Sequence, residues 1–303
     1  MKPIIIGGNA GFIPVLVQAF TGTSGGRFFF HCLLLFFVFT ALLACSSVID
    51  PQTRRQHINA LATAQGWQPQ IIVGEYFDLV AFLSKNTSPQ SQLAIYIEGD
   101  GLAWVNKNRT SVDPTPVRAL ALQLALQHPE DNGVYLARPC QYVTAEHRRH
   151  CEPSVWTSGR FSEQVIRATN DAIDVLKAQY QAQSLRLIGY SGGAAVAALV
   201  AARREDIVQL ITVAGNLDHR AWTSFHNVSD LTNSLNPIDV RPLLAAIPQY
   251  HLVGEKDKVV PPTLINKFVS GFKPSKTITV KVVPEFDHQC CWVQHWSSLV
   301  PLD

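Results

Sequence analysis

The 303-residue sequence has little net charge and lacks the short motifs by which many proteins hold nucleotides or metal ions. Its formal net charge is +2, without a long run of either sign, so a nucleic-acid partner is not expected. No G-x-x-x-x-G-K-S/T phosphate-binding loop occurs, and none of the six cysteines forms a C-x-x-C pair. The sequence therefore predicts neither a metal site nor a bound cofactor.

Apolar residues, by contrast, make up 47% of the chain, and one uncharged run near the start has a particular form. Phe28–Ala44 follows Arg27 and precedes Cys45. The run is shorter than the roughly 20 apolar residues that span a bilayer, and it is typical of the apolar region of an export signal. The junction Leu-Leu-Ala-Cys at 42–45 resembles a bacterial lipobox. This resemblance implies that Cys45 is lipidated and becomes the first mature residue.

These features predict a chain that is exported to the bacterial cell envelope and anchored by lipid at the outer membrane. Residues 1–44 are then the export signal, and the polar segment 45–70, with a short helical pattern at Arg54–Gln65, is a tether. A simple cleaved signal and an uncleaved anchor stay open as alternatives. Stable anchoring needs more than one acyl chain, which this type of lipidation supplies.

Export makes disulfides permissible, and four cysteines lie in the folded part of the chain. Cys140 and Cys151 bracket a loop of ten residues, and we predict a bridge between them. Cys290 and Cys291 are adjacent. They could form a vicinal disulfide, pair elsewhere or stay buried thiols, and the sequence does not decide between these states.

From residue 71 to 303, short apolar strands alternate with helical patterns. Strands are predicted at 71–73, 76–83, 93–97, 134–137, 185–188, 207–214, 250–253 and 277–283, and helices at 114–127, 161–180, 194–202, 262–271 and 289–299. This alternation predicts an α/β fold with a mostly parallel sheet flanked by helices. The active sites of such folds lie at the carboxyl ends of the strands.

The segment Gly189-Tyr190-Ser191-Gly192-Gly193 stands between a predicted strand and an alanine-rich helix. A G-x-S-x-G sequence in this context is typical of a nucleophile elbow, the tight turn that presents a serine hydroxyl at the end of a sheet. Glycine suits the crowded positions on either side of such a serine. We therefore predict that Ser191 is a nucleophile. The alternative is a glycine-serine turn in an ordinary α/β unit.

A serine nucleophile needs a carboxylate partner for its base, and three acidic residues are candidates. Asp257 follows the predicted strand at 250–253 and stands in a turn that ends in Val-Val-Pro-Pro. Glu255 lies two residues before it, and Asp218 follows the preceding strand. We favour Asp257.

The base itself is predicted to be a histidine, because the unperturbed pKa of imidazole lies near 6.5. His288 follows the last predicted strand, whereas His251 lies within a strand and His219 and His226 lie in a polar excursion. We favour His288. The resulting chain order of serine, aspartate and histidine is the one used by α/β-hydrolases.

Backbone N–H groups are expected to stabilise the oxyanion of such a reaction. Gly192 supplies the N–H that follows the nucleophile. The second is expected within Glu98-Gly99-Asp100-Gly101, directly after the strand at 93–97, where closely spaced glycines allow close approach. Asp100 is the favoured donor and Gly101 its rival, with a plain turn as the alternative interpretation.

On these motifs the chain resembles the α/β-hydrolase superfamily and, within it, poorly characterised exported or lipoprotein hydrolases of bacteria. The resemblance covers roughly residue 71 to the C-terminus and rests on EGDG at 98–101, GYSGG at 189–193, GEKDKVVP at 254–261 and FDH at 286–288. One departure stands out. Glu98 replaces the histidine of the usual H-G-G segment, and Asp100 interrupts the glycines. An acidic side chain near a developing oxyanion is unfavourable unless it points away.

The resemblance implies a serine hydrolase that cleaves a small carboxylic ester through an acyl-enzyme. A serine peptidase or an acyltransferase would use the same residues, because function depends on the pocket. A catalytically silent binding lipoprotein is the third possibility. Excursions at Arg138–Gly159 and Asn216–Ile247 are expected to shape the pocket, the second as a short cap, and Trp104 is expected to line the cleft.

Overall fold

A computed structural model of the chain describes residues 50–84, 88–274 and 276–301. The predicted export signal and Cys45 lie outside the described residues, so both stay predictions. None of the described helices is both long and apolar enough to cross a bilayer.

The centre of the fold is an eight-stranded sheet. Its strands are β1 (Trp67–Ile72), β2 (Leu79–Ser84), β3 (Gln92–Ile97), β6 (Gly133–Leu136), β7 (Ser184–Tyr190), β8 (Ile207–Val213), β9 (Gln249–Gly254) and β10 (Ile278–Val283), with a separate hairpin of β4 (Trp104–Asn106) and β5 (Arg109–Thr110). The strand order in the sheet is β1-β2-β6-β3-β7-β8-β9-β10. The two pairs that involve β2 are antiparallel, whereas the pairs from β6 to β10 are parallel. This confirms the predicted mostly parallel sheet.

Helices cover both faces of this sheet. They are α1 (Pro51–Ala64), α2 (Leu120–Leu126), α3 (Pro153–Trp156), α4 (Glu163–Gln179), α5 (Gly192–Ala201), α6 (His219–His226), α7 (Arg241–Leu244), α8 (Pro262–Val269) and α9 (Trp292–Leu299). Along β3, Ile95 belongs to one apolar cluster and Tyr96 to the other, because successive side chains point to opposite faces. A strand covered on both faces must be apolar throughout, which explains the run LAIYI.

Helix α1 and strand β1 belong to the folded domain, whereas the sequence analysis assigned residues up to 70 to a tether. Asp50 caps α1 by accepting from the N–H of Thr53, at 3.0 Å. Ile58 and Ala62, four residues apart on this largely polar helix, are buried in the core. Strand β1 then pairs with β2 along its whole length. The folded domain therefore includes residues 50–70, which were predicted to be part of the tether.

The helix predicted at 114–127 is shorter in the structure, because α2 begins only at Leu120. The residues before it are tied to other loops. The carbonyl of Pro114 accepts from the N–H of Leu102, and the hydroxyl of Thr115 accepts from the N–H of Tyr142. In a helix the Pro114 carbonyl would accept from the N–H four residues later, but here it accepts from another loop. The segment before Leu120 is therefore a loop, and it forms one wall of the site described below.

Candidate active site

Ser191 lies in the sharp turn between β7 and α5, with φ 53° and ψ −118°. A positive φ is unusual for a residue with a side chain, and it is the strained geometry of a nucleophile elbow. The turn requires glycine two residues before Ser191 and two residues after it. A Cβ on Gly189 would lie 2.4 Å from the Cα of Ala194, and a Cβ on Gly193 would lie 2.3 Å from the carbonyl oxygen of Ile97.

The structure brings Ser191, His288 and Asp257 together from the ends of β7, β10 and β9. His288 Nε2 lies 3.0 Å from Ser191 Oγ, and His288 Nδ1 lies 2.8 Å from Asp257 Oδ2. Asp257 is 3% exposed, and its Oδ1 accepts from the N–H groups of Val259 and Val260 at 2.7 and 2.8 Å. The carboxylate is therefore fixed by its own turn and faces the imidazole.

His288 is also anchored through its backbone. The Tyr190 hydroxyl donates to the His288 carbonyl at 3.1 Å, and the Trp292 indole N–H donates to it at 3.3 Å. The Tyr190 ring lies 5.4 Å from the imidazole, centroid to centroid. The residue before the serine thus helps to hold the histidine. No spacing in the sequence signals this role of Tyr190.

The alternative acidic residues lie in other settings. Asp218 Oδ1 caps α6 by accepting from the Ala221 N–H and binds the Asn236 amide. Glu255 is exposed, and its carboxylate accepts from the Glu285 N–H. Both carboxylates therefore have structural partners away from His288.

The alternative histidines are likewise engaged elsewhere. His251 is buried in the sheet, where its Nδ1 lies 2.8 Å from the Thr212 hydroxyl, and burial lowers its pKa to about 4. His219 is buried beside the Phe161 ring, and His226 Nε2 lies 2.8 Å from the Val259 carbonyl. Of the four histidines considered, His288 is the one hydrogen-bonded to Ser191.

The loop 98–101 lies beside the first turn of α5. The N–H of Gly99 donates to Glu98 Oε1 at 2.9 Å, and the carbonyl of Gly99 accepts from the Gln141 side chain at 2.9 Å. Both backbone groups of Gly99 are thereby occupied, which leaves Asp100 and Gly101 as the loop's candidate donors. Gly192 begins α5, where the first N–H groups of a helix have no partner within the helix.

The Asp100 side chain, which the sequence analysis marked as unfavourable, is neutralised by two arginines. Arg160 Nη1 lies 2.7 Å from Oδ2, and Arg138 Nη1 lies 3.4 Å from Oδ1. Burial opposes ionisation, but Arg160 and Arg138 outweigh it and hold the pKa of Asp100 below its ordinary value. The carboxylate packs over Gly192, where an added Cβ would lie 2.1 Å from Oδ1. The group stays ionised next to the elbow without an uncompensated negative charge.

Glu98 takes the position of the usual histidine and is fully buried. Its Oε1 accepts from the N–H of Gly99 and, at 3.4 Å, from that of Ala121, and its Oε2 accepts from the Tyr135 hydroxyl at 3.2 Å. Burial raises the pKa of this carboxyl to about 7, against the opposing effect of these hydrogen bonds. Glu98 connects the loop to the start of α2 and to β6.

The disulfide predicted between Cys140 and Cys151 is present. It closes the loop whose Gln141 contacts Gly99. Arg138, two residues before Cys140, contacts Asp100. Cys290 and Cys291 are bonded to each other, which is one of the three states left open.

A cavity of about 420 Å³ opens above Ser191 and His288. Trp104 does not line it, contrary to expectation, because β4 leaves this side chain 45% exposed in the separate hairpin. Trp222, from the excursion at 216–247, does line it, as do side chains of the loop before α2. The lining residues are Glu98, Gly99, Asp100, Gly101, Leu102, Pro116, Val117, Arg118, Tyr190, Ser191, Asn216, Trp222, Val259, Val260, His288 and Gln289.

The sheet, its flanking helices and the elbow define a serine hydrolase of the α/β type. The chain belongs to the serine hydrolase (FSH1) family, whose profile matches residues 132–283, half of the chain. A search of curated proteins finds no match.

Solved structures with the same fold are distant in sequence. An α/β serine hydrolase homologue from Coxiella burnetii is 16% identical, with a TM-score of 0.51 over 77% of this chain and 93% of that chain. Est1E from Butyrivibrio proteoclasticus is 14% identical, with a TM-score of 0.54 over 76% and 94%. An esterase of Pyrococcus furiosus is 12% identical, with a TM-score of 0.53 over 78% and 88%. At these identities the likeness concerns the fold.

Proposed function

We propose that this serine hydrolase cleaves carboxylic esters through a covalent acyl-enzyme, with Ser191 as nucleophile, His288 as base and Asp257 as the carboxylate partner of the base. The observation that carries the proposal is the continuous hydrogen-bonded chain among these side chains, 3.0 Å from Ser191 Oγ to His288 Nε2 and 2.8 Å from His288 Nδ1 to Asp257 Oδ2. Serine is a weak nucleophile at neutral pH unless an adjacent base takes its proton.

In the first half-reaction His288 takes the hydroxyl proton while Ser191 Oγ attacks the ester carbonyl carbon. The carbonyl oxygen becomes negative and accepts hydrogen bonds from the N–H of Gly192 and that of Asp100, with Gly101 as the alternative to Asp100. Each such donor contributes about 3 kcal/mol to stabilising the transition state. The intermediate collapses as His288 returns the proton to the departing alcohol. Water then repeats the sequence on the acyl-enzyme and releases the acid.

Asp257 fixes the tautomer of His288 and stabilises the imidazolium that forms in each half-reaction. Its two bonds from the N–H groups of Val259 and Val260 hold the carboxylate still while the imidazole changes charge. Arg138 and Arg160 offset the negative charge of Asp100 near the oxyanion. This favours a reaction in which negative charge develops on the carbonyl oxygen.

A fluorophosphonate probe tests the nucleophile. We expect the wild-type protein to be labelled and Ser191→Ala to be unlabelled, while Ser224→Ala, a change at an exposed serine on α6, keeps full labelling. His288→Ala should lose most turnover while its circular dichroism stays that of the wild type. Persistent labelling of Ser191→Ala would contradict the assignment.

The ester preference is tested on a panel of 4-nitrophenyl esters and aminoacyl 4-nitroanilides. We expect turnover of the esters, supported by the apolar side chains that line much of the cavity, among them Leu102, Val117 and Trp222. Efficient anilide cleavage would identify a peptidase. Transfer of the acyl group to an added alcohol in preference to water would identify an acyltransferase.

We also propose that the protein is exported and anchored through lipid on Cys45. The apolar run at Phe28–Ala44 and the disulfide between Cys140 and Cys151 support this, since disulfides persist in oxidising compartments. Metabolic labelling with an alkyne fatty acid should mark the wild-type protein in the membrane fraction and not Cys45→Ala. Equal labelling of the two proteins would contradict the proposal.

A further inference from the structure

A second compartment of about 310 Å³ adjoins the cavity above Ser191. Arg118, Tyr190 and Gln289 line both compartments, so the two meet at these side chains. A substrate whose ester carbonyl lies at Ser191 can therefore extend past Arg118 into the second compartment.

Among the described residues that line either compartment, Arg118 is the single lysine or arginine. It is exposed on the loop before α2, and within the described residues it belongs to no ion pair. The hydrogen bond that it makes runs from Nη1 to Gln289 Oε1, at 3.4 Å. Its guanidinium is therefore available to a ligand at the junction of the compartments.

The carboxylates nearby are already engaged. Asp100 is bound by two arginines, and Glu98 is buried among hydrogen-bond donors. Asp287 lines the second compartment as an ionised carboxylate, because the N–H groups of Cys290 and Gln289 donate to its Oδ1, hold it to its own turn and lower its pKa. Arg118 and Asp287 are thus the two charged side chains among the described residues that line this compartment. The remaining lining of that compartment is uncharged, with the amides of Gln123, Gln289 and Gln294 beside Leu120 and Val293.

From these observations we infer that the natural substrate is an anionic ester, and that Arg118 binds its carboxylate or phosphate group at the junction of the two compartments. This inference rests on the proposed function. The planar guanidinium matches both groups, because its N–H donors pair with two oxygens at once. The amide side chains around it can bind the same oxygens. Arg118 is thus a specificity residue, and the apolar walls of the first compartment contact the uncharged part of the substrate.

Matched pairs of esters test this inference on the full chain. One pair is 4-nitrophenyl pentanoate and the 4-nitrophenyl monoester of glutaric acid, which differ by a terminal carboxylate on the acyl chain. A second pair is phenyl butyrate and 3-carboxyphenyl butyrate, which place the charge on the alcohol. Phenyl butyrate carrying a phosphate in place of the carboxylate completes the set. The measured quantity is the ratio of kcat/KM for the anionic ester to kcat/KM for its neutral partner.

We expect Arg118→Gln to lower this ratio about five- to tenfold in at least one pair, through a higher KM and not a lower kcat, because the contact is equally present before and during the reaction. Arg118→Glu should lower the ratio further, and the ratio for Arg118→Lys should lie between those for wild type and Arg118→Gln. Arg167→Gln, a change at an exposed arginine on α4, should keep the wild-type ratio. Ratios within twofold of wild type in all pairs would overturn the inference.

Two outcomes separate this inference from the proposed function. Hydrolysis of neutral esters without dependence of the ratio on Arg118 would refute only the role of Arg118. Failure to hydrolyse any ester, with no fluorophosphonate labelling, would refute the proposed function. Binding of the anionic and neutral esters to Ser191→Ala by calorimetry then still measures the preference. If the anionic ester binds Ser191→Ala and the double variant Ser191→Ala with Arg118→Gln with equal affinity, the inference is overturned, and this test needs no turnover.

Discussion

Glu98→Gln should remove a pH dependence from the stability of this protein. In the folded chain the carboxyl has no cationic partner among its hydrogen-bonded neighbours, which are the N–H groups of Gly99 and Ala121 and the hydroxyl of Tyr135. Glutamine has the same shape. Its oxygen can keep both backbone bonds, and its NH₂ group can donate to the tyrosine oxygen, so the substitution removes the charge with little other change.

The magnitude follows from the pKa of Glu98, which rises from 4.5 to about 7 on folding. Between these values the unfolded chain has released the proton while the folded chain keeps it, so stability falls as pH rises. The contribution is fully present below about pH 4.5 and lost by about pH 8. A difference of about 2.5 pKa values corresponds to about 3 kcal/mol of unfolding free energy.

Urea unfolding followed by tryptophan fluorescence at a series of pH values measures this effect. The difference in unfolding free energy between wild type and Glu98→Gln should fall by about 3 kcal/mol between pH 4.5 and pH 8. Glu163→Gln is the control, because Arg203 lowers the pKa of that exposed carboxyl. The difference in unfolding free energy between wild type and Glu163→Gln should change only below pH 4.5, where it should fall as the pH falls. A flat difference for Glu98→Gln across the range would refute the reasoning.

Three further substitutions test other contacts. Gly189→Ala places a methyl group 2.4 Å from the Cα of Ala194, and should lower the unfolding free energy by about 2 kcal/mol or more in urea titrations; a smaller loss would show that the elbow can shift. Asp100→Asn leaves its two buried arginines without a counter-charge, and should cost about 2–4 kcal/mol by the same assay; wild-type stability would show that the arginines find other partners. Replacing Cys140 and Cys151 by serine frees a short loop and should cost about 2–4 kcal/mol, whereas an unchanged thermal midpoint would contradict a stabilising bridge.

Much of the site was accessible from sequence because its key residues follow strands. The carboxyl ends of neighbouring parallel strands meet at one edge of a sheet, so Ser191, Asp257 and His288 could be placed together from strand positions alone. The structure places them within hydrogen-bond distance. The disulfide between Cys140 and Cys151 was predictable for a similar reason, since a short loop keeps its ends close.

The residues that sequence analysis missed are those whose partners come from loops. Arg138 and Arg160 bind Asp100 across sequence separations of 38 and 60 residues, and no local pattern indicates such a meeting. The start of α2 was misplaced because the residues before Leu120 form hydrogen bonds with other loops instead of within a helix. Helix α1 was taken for part of a tether because only a narrow stripe of it is apolar.

The hydrogen bond between Ser191 and His288 has a consequence for the timing of biosynthesis. The two residues are separated by 97 positions. A ribosome adds about 5–20 residues per second, so a nascent chain carries the serine for about 5–20 s before the histidine has been made. Throughout that interval the serine is a plain hydroxyl without a base. A growing chain of this protein therefore lacks the base of the proposed mechanism until the segment after the last strand has been made.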